Sequence, residues 1–502
     1  MFFGNAVGDQ VAIESFDDIA AEPGRLGPFP AGFKDRRDAF GGSYVGGVGL
    51  EFGGGADVGD AVGDEGHDFA INGVHAGADF VEVRAVGGGD LVWHRGRYED
   101  NGRVLWQTVR LRTAMPFRGV DYLLIDSQFS EQELMVRQTA RRFVDERVAP
   151  VLRDSFRDAR FPKELIPEMA EMGFLGANLT GYGCAGMSNV EYGLVMQELE
   201  RGDSGLRSFV SVQGALVMYP LHAYGSEEQK SRWLPLLQSG QAIGCFGLTE
   251  PDFGSNPAGM RTRAVRDGDG WVLNGEKTWI TNGSVADVAV VWARADEGIR
   301  GFVVERGTPG FTASDIHGKW SMRASVTSSL SMVDCRVPDS AMLPGAKGLK
   351  GPLSCLSQAR FGIGWGVVGA AMDCYETARA YTTLRKQFDD RPIASHQLVQ
   401  AKLADMITEI TKAQLLALHC GRLKDAGKLD PAHISMLKRN NVAIALDCAR
   451  ASRDLLGANG ITDEYPIMRH LCNLETVKTY EGTDHIHALV IGERVTGIAA
   501  YK

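Results

Sequence analysis

Trp271-Val272-Leu273-Asn274-Gly275-Glu276-Lys277-Thr278-Trp279 decides the fold, because it lies where the period of the chain changes. Across residues 243–340 apolar and polar residues alternate and turn residues recur, which is the pattern of half-buried strands. Asn274-Gly275 is the strongest short hairpin signal in the region, since both residues tolerate the positive φ of a tight turn. Trp279-Ile280-Thr281-Asn282-Gly283 would close that hairpin. Val288-Ala289-Val290-Val291-Trp292 and Gly301-Phe302-Val303-Val304-Glu305 read as further strands. Residues 243–348 are expected to form a small antiparallel β domain.

On both sides the period is helical. Ser130-Glu131-Gln132-Glu133 is a capping box. Leu134, Ala140, Phe143, Val144, Val148 and Val151 follow it as an apolar stripe. Phe161-Pro162-Lys163-Glu164 starts a second helix that ends near Gly173. Ser188-Asn189-Val190-Glu191 opens a third that runs to about Gly202, and Ser226-Glu227-Glu228-Gln229 opens another. Residues 120–242 are therefore expected to be an N-terminal helical domain. Residues 349–502 hold long runs, Leu398 to Leu423 and Ile434 to Leu456, which read as a C-terminal helical bundle. So much apolar helix surface points to an oligomer. The fold class is α+β, in the order helix, β, helix.

The 502 residues exceed one ordinary core, and 44% hydrophobic content suits packed domains. A net charge of −10 does not favour nucleic acid or an anionic membrane. The longest apolar run, Phe361 to Met372, contains four glycines and is too short to span a bilayer, so no membrane insertion is expected. The first residues carry acids where a signal peptide needs bases. Eight cysteines without a CxxC pair argue for reduced thiols, for a cytoplasmic compartment and against a metal site.

Residues 1–114 differ from the rest. They hold 23 of the 62 glycines and a single lysine, Lys34. A dinucleotide-binding loop fails there, because Phe52 stands where Gly47-Val48-Gly49 would need its third glycine. Residues 73–86 could pass for a strand, but low complexity makes a flexible tail the expectation. The composition also fits GC-rich DNA read outside its frame, with Met115 as the true start.

Several stretches could carry chemistry. Lys478-Thr479-Tyr480-Glu481-Gly482-Thr483-Asp484-His485 sets one carboxylate between a ring and a glycine. Glu481 there is either a solvated helix-end residue or a base whose pKa burial raises. Residues 245–256, CFGLTEPDFGSN, offer backbone amides and the hydroxyls of Thr249 and Ser255, suited to a phosphate or a ring edge, or form an ordinary turn. Trp279 could cover a flat cofactor and Thr281 bond its ring, or the indole could pack across strands. Arg385 is a phosphate-clamp candidate or a helix-end base. Leu456-Gly457-Ala458-Asn459-Gly460 is a helix break where a phosphate could approach. Arg207, in an apolar region, needs an anion: a substrate carboxylate, or Glu200 or Asp203.

In this order, over residues 120–502, the pieces resemble the acyl-CoA dehydrogenase family. The specific motifs are CFGLTEP (245–251), KTWITN (277–282), RKQF (385–388), TYEGT (479–483) and IHAL (486–489). Residues 198–208, ELERGDSGLRS, point to its glutaryl-CoA branch, as do 355–370, CLSQARFGIGWGVVGA, and 437–465. The resemblance implies a homotetramer with one FAD per subunit, between the β domain and the bundle. Phe246, Leu248, Thr249, Gly254 and Ser255 would line the flavin and its diphosphate. Trp279, Ile280 and Thr281 would flank the ring, and Thr483 would touch the cofactor. Arg385 and Gln397, with Gln387 and Phe388, would reach a neighbouring subunit's FAD, and Gly457 and Ala458 would complete that contact.

By the same resemblance Glu481 is the base. Arg207 and Ser208 would hold the far carboxylate of glutaryl-CoA, with Glu200 nearby. Ser255, Leu353, Arg360 and Gly482 would line the acyl-CoA path. The implied reaction is α-proton removal, β-hydride transfer to flavin N5, and loss of CO2 to give crotonyl-CoA, in lysine and tryptophan degradation. Electron-transfer flavoprotein would be the acceptor. A non-decarboxylating or other short-chain enzyme is the alternative, and an inert FAD- or acyl-CoA-binding subunit a further one. The chain departs from the family pattern at Asp484-His485, Asn256, Phe253, Asp389 and Ala458. Peptide mapping of the natural protein is expected to recover nothing upstream of Met115; upstream peptides would refute the reading-frame explanation.

Overall fold

A computed structural model describes residues 119–500 and, upstream of them, only strand residues. The chain divides into two units, Met1–Phe117 and Arg118–Lys502. The first carries β1 (Ile13–Ser15), β2 (Ile19–Ala20), β3 (Val62–Gly63), β4 (Phe69–Asn72), β5 (Asp79–Val86), β6 (Asp90–Tyr98) and β7 (Val104–Arg112). They pair antiparallel in the order β1-β7-β6-β5-β4-β3, with β2 also on β7. The strand expected within 73–86 is β5. Strands β5, β6 and β7 pair as a ladder. The reason is local: Val81, Val83 and Ala85 alternate with Glu82 and Arg84, a period of two that glycine-rich flanks obscure. Gly47-Val48-Gly49 and Met115 lie outside the described residues.

In the second unit, helices α1 (Glu131–Phe143), α2 (Ala149–Arg157), α3 (Ile166–Glu171), α4 (Asn189–Gly202), α5 (Ser204–Ser211), α6 (Tyr219–Tyr224) and α7 (Glu227–Gln238) come first. The three capping boxes form as read. Ser130, Ser188 and Ser226 each accept from the backbone N–H three residues on, and Glu133, Glu191 and Gln229 each return the bond.

A seven-stranded sheet follows: β8 (Gly244–Gly247), β9 (Arg263–Asp267), β10 (Gly270–Thr281), β11 (Val288–Ala295), β12 (Gly298–Glu305), β13 (Phe311–Asp315) and β14 (Thr327–Pro338). Its order is β12-β11-β9-β10-β14-β13, with β8 also on β11. It is antiparallel except where β11 meets β8 and, at one residue pair, β9.

The hairpin expected at Asn274-Gly275 is not there. Those residues sit inside β10, where the register against β14 slips between Leu273 and Gly275. Asn274 is used across the ladder: its Oδ1 accepts from Asp334 N at 2.8 Å, and its Nδ2 donates to Asp334 Oδ1 at 3.2 Å. The β9–β10 turn falls instead at Gly268-Asp269, where Gly268 has φ +61°. A second slip, between Lys277 and Ile280, holds Trp279 at φ +60° and turns its indole outward.

The C-terminal bundle comprises α8 (Lys350–Leu384), α9 (Gln397–Asp425), α10 (Pro431–Leu455), α11 (Ile467–Thr479) and α12 (Asp484–Thr496), with a short hairpin, β15 (Lys386–Gln387) and β16 (Arg391–Pro392), after α8. Helix α8 is the spine. Its glycines allow close approach: a Cβ on Gly369 would lie 1.8 Å from Gln197 O of α4, and one on Gly364 2.4 Å from Leu437 Cγ of α10.

One carboxylate ties three parts together. Asp203 Oδ1 caps α5 by accepting from Gly205 N at 2.6 Å. Its Oδ2 accepts from Arg469 and Asn473 of α11, and Asn473 Oδ1 accepts from Met322 N in the β13–β14 loop at 2.7 Å. Among the described residues no helix is long and apolar enough to cross a membrane.

Gly369→Ala is expected to destabilise the second unit by about 1–3 kcal/mol through overpacking against a backbone carbonyl. Urea unfolding checks this: the midpoint should fall with an unchanged slope.

Candidate active site

Glu481 lies in the turn between α11 and α12, and its backbone is the most constrained part of the site. Tyr480 caps α11 in extended geometry, Glu481 has φ +49°, Gly482 has φ +94°, and Thr483 caps α12 by accepting from Ile486 N at 3.2 Å. A non-glycine residue in the left-handed region costs of order 1 kcal/mol and persists only where its surroundings dictate it. Here they do. Arg360 Nε of α8 donates to Glu481 O at 2.7 Å. Lys438 Nζ of α10 donates to Gly482 O at 2.7 Å and to Tyr480 O. A Cβ on Gly482 would lie 2.9 Å from His487 Nε2, so only glycine fits.

The Glu481 carboxylate is partly buried, and its Oε2 is buried with no hydrogen-bond partner. Burial raises its pKa above the ordinary carboxylate value, while Arg207, Lys438 and Arg360 pull it back. His487 is buried beneath the turn, with Nδ1 3.1 Å from Ser435 Oγ. Burial and the two nearby cations push its pKa down to about 3, so the imidazole is neutral.

Arg207 of α5 is fully buried, as is Glu200 of α4. Arg207 Nε donates to Glu200 Oε2 at 2.7 Å and NH2 to Glu200 Oε1 at 3.4 Å, while NH2 also donates to the Tyr480 hydroxyl. Of the anions expected for Arg207, Glu200 forms the ion pair and Asp203 bonds Arg469 instead, while Arg207 NH1 is left buried without a partner. Burial disfavours the guanidinium, but Glu200 and Tyr480 outweigh it and hold its pKa above the ordinary value. Room for the pair comes from α8, where a Cβ on Gly366 would lie 2.2 Å from Glu200 Oε2. Ser208 is buried beside Arg207 in sequence, and Tyr192 of α4 and Ser211 of α5 bring two further buried hydroxyls close to each other. Burial pushes the Tyr192 phenol up to about 12, and it feels both Arg207 and Glu481.

The Gly244–Ser255 segment is pinned from below. Lys277 Nζ donates to Glu250 Oε1 at 2.8 Å and to Leu248 O at 3.2 Å, and Glu250 accepts from Arg261 N and Thr262 N. Burial lowers the Lys277 pKa to about 8 against the pull of Glu250. Thr278 N donates to Thr249 O at 2.9 Å. Phe246 and Leu248 have buried side chains, so what they offer a ligand is backbone; Ile280 is also buried. Thr249 and Thr281 are partly covered, Gly254 and Ser255 exposed, and Trp279 is 62% exposed.

Arg385, Gln387, Phe388 and Gln397 are exposed at the α8–α9 junction, and Gly457 and Ala458 are exposed in the turn after α10. Asn459 Nδ2 donates to the Tyr381 hydroxyl one turn before Arg385, so these two sets share one end of the bundle. Leu353 lies on α8 two turns before Arg360. Thus Glu481, Gly482, Arg360, Arg207 and Glu200 come together. Lys438, Tyr480 and His487 join them, unforeseen from sequence. Lys438 did carry a signal: it falls on the buried α10 stripe Ile434–Lys438–Val442, where the helical period asks for an apolar residue.

Family models described as the acyl-CoA dehydrogenase N-terminal, middle and C-terminal domains match residues 130–241, 245–335 and 346–496. The short-chain specific acyl-CoA dehydrogenase, mitochondrial, of Homo sapiens is 34% identical over 374 residues, spanning 72% of this chain and 90% of that protein. The crystal structure of glutaryl-CoA dehydrogenase from Mycobacterium smegmatis is 59% identical, covers 77% of this chain and 100% of its own, and superposes with a TM-score of 0.76. A second structure of a glutaryl-CoA dehydrogenase from Mycobacterium smegmatis, in complex with FADH2, is 55% identical with the same coverage and TM-score. Three consecutive domain matches and this site geometry lead to one conclusion: the chain belongs to the acyl-CoA dehydrogenase family.

Proposed function

We propose that this chain oxidises glutaryl-CoA and decarboxylates the product to crotonyl-CoA, with Glu481 as the base. One observation carries the substrate choice. Arg207 keeps a buried N–H without a partner beside the base, and a buried donor left unmet is costly unless a ligand meets it. The acyl chain that meets it ends in a carboxylate. The likeness to glutaryl-CoA dehydrogenases supports the same choice.

The residues present fit FAD. An indole stands out of the sheet at Trp279, Thr281 ends the same strand, Thr249 follows β8, Ser255 is exposed in the loop beyond, and the segment pinned at Leu248–Glu250 presents backbone. The structure of a relative holding FADH2 supports this reading. When bound, FAD supplies the two-electron acceptor for the β-hydride. Everything else falls to the chain. Glu481 Oε2 takes the α-proton, and its raised pKa makes it a stronger base in its ionised form. Arg207, with Ser208 beside it, orients the far carboxylate while Glu200 and Tyr480 fix the guanidinium. Arg360 and Gly482 border the thioester path. Once the chain is unsaturated, the electrons left by departing CO2 delocalise into the thioester, and protonation gives crotonyl-CoA.

The active assembly is a homotetramer in the cytoplasm, built from domains 120–242, 243–348 and 349–502. Arg385, Gln387, Phe388, Gln397, Gly457 and Ala458 face a neighbour's cofactor, and electron-transfer flavoprotein takes the electrons. The second reading, a short-chain acyl-CoA dehydrogenase without decarboxylation, draws on the 34% identity to the short-chain human protein.

Turnover of glutaryl-CoA with an artificial acceptor, analysed by mass, should yield crotonyl-CoA and CO2. Glu481→Gln should lower kcat by about 10²–10⁴-fold. Preference for butyryl-CoA over glutaryl-CoA would overturn the substrate choice, and accumulating glutaconyl-CoA would overturn the decarboxylation. Because the Glu481 pKa is raised, the ionised base is lost as pH falls through that value, so kcat/KM should climb from acid toward neutral pH and then level. Arg207→Met should raise KM for glutaryl-CoA and favour butyryl-CoA by comparison.

A further inference from the structure

We propose that Lys438 is a positioning residue for Glu481, holding the Tyr480–Gly482 turn in the backbone shape that presents the carboxylate. The inference rests on the reading of Glu481 as the base.

Three successive carbonyls of the turn are taken by two cations. Lys438 Nζ holds Tyr480 O and Gly482 O, and Arg360 Nε holds Glu481 O between them. In a trans peptide the carbonyl and the following N–H point in opposite directions. Turning Tyr480 O to Lys438 and Glu481 O to Arg360 therefore aims the N–H groups of Glu481 and Gly482 away from the cation that holds each carbonyl. Glu481 is left-handed without being a glycine, so without these bonds it would relax to ordinary backbone angles and carry the carboxylate with it. Lys438 is 1% exposed and stands on an apolar stripe between Ile434 and Val442. A side chain needed there only for packing would be apolar, since burying an ammonium is costly.

The charge has a second effect. Glu481 is faced by Arg207 of α5, Arg360 of α8, Lys438 of α10 and Tyr192 of α4; Asp484 of α12 faces Lys438, and His487 of α12 is neutral. Burial pushes the Lys438 ammonium down to about 7, so below that pH Lys438 is one of three cations that favour the ionised base.

The experiment uses the full chain with Lys438→Met, Lys438→Gln and Lys438→Arg, with thermal melting to establish folding. Gln keeps two N–H donors without charge, and Arg keeps both. Hydrogen exchange of peptides covering 478–487 should quicken about tenfold in the Met variant, the response of a turn that has lost its anchors. The acid limb of kcat/KM should move to higher pH by about one unit in Met and Gln, since a nearby opposite charge lowers a carboxyl pKa by about 1–3 units. With glutaryl-CoA, kcat should fall more than KM rises, and Arg should restore part of the loss. Unchanged exchange in a folded Met variant would overturn the proposal whether or not the protein turns over glutaryl-CoA. An unmoved acid limb in folded, active Met and Gln variants would overturn the charge effect. If Met does not fold, Gln and Arg decide by the same two readouts. Wild-type protein without acyl-CoA turnover would count against the base itself, and exchange would still judge the anchoring.

Discussion

A guanidinium can be buried beside Glu481 only because Glu200 is buried with it, and Glu200 fits only because Gly366 has no side chain. The order of dependence runs from backbone to chemistry. A glycine-rich helix lets α4 press close to α8, that closeness leaves a slot for one ion pair, and the pair leaves one buried N–H of Arg207 without a partner. Removing one partner of such a pair strands a charge in the core, at about 3–5 kcal/mol. The buried Arg207–Glu200 pair and the stability of the helical core are therefore one structure.

The same economy shapes the turn that carries Glu481. Its strain is concentrated in Glu481 and resisted by bonds from two long helices. Those helices pack against each other through the glycines of α8. The segment after β8 is managed differently. There the buried Lys277–Glu250 pair satisfies Arg261 N, Thr262 N and Leu248 O, so loop geometry is fixed by a charge pair under the sheet. Both halves of the site are held by buried lysines whose ammonium groups bond backbone carbonyls.

Much of this was legible in the sequence, for identifiable reasons. Capping boxes at Ser130, Ser188 and Ser226 are local and obligatory, so the helix starts were read to the residue. The alternation in 243–340 gave the sheet, and TYEGT gave Glu481 through the resemblance. Asn274-Gly275 misled because the signal for a hairpin and for a bulge is the same dipeptide, and only the long-range partner Asp334 decides between them. Lys438 and His487 were missed because their roles depend on which backbone they meet across the bundle. In the first unit, glycine-rich flanks masked a period of two in β5.

Asp203 adds a constraint of another kind. It caps the helix of Arg207, bonds the helix that ends at Tyr480, and through Asn473 reaches the β13–β14 loop. Arg207, the Glu481 turn and the sheet thus share one reference point, although they lie far apart in the chain. Chimeras that join this helical domain to another relative's bundle would break that registration at the splice, even with every site residue retained. The domains look modular in sequence, yet they must be inherited as a set.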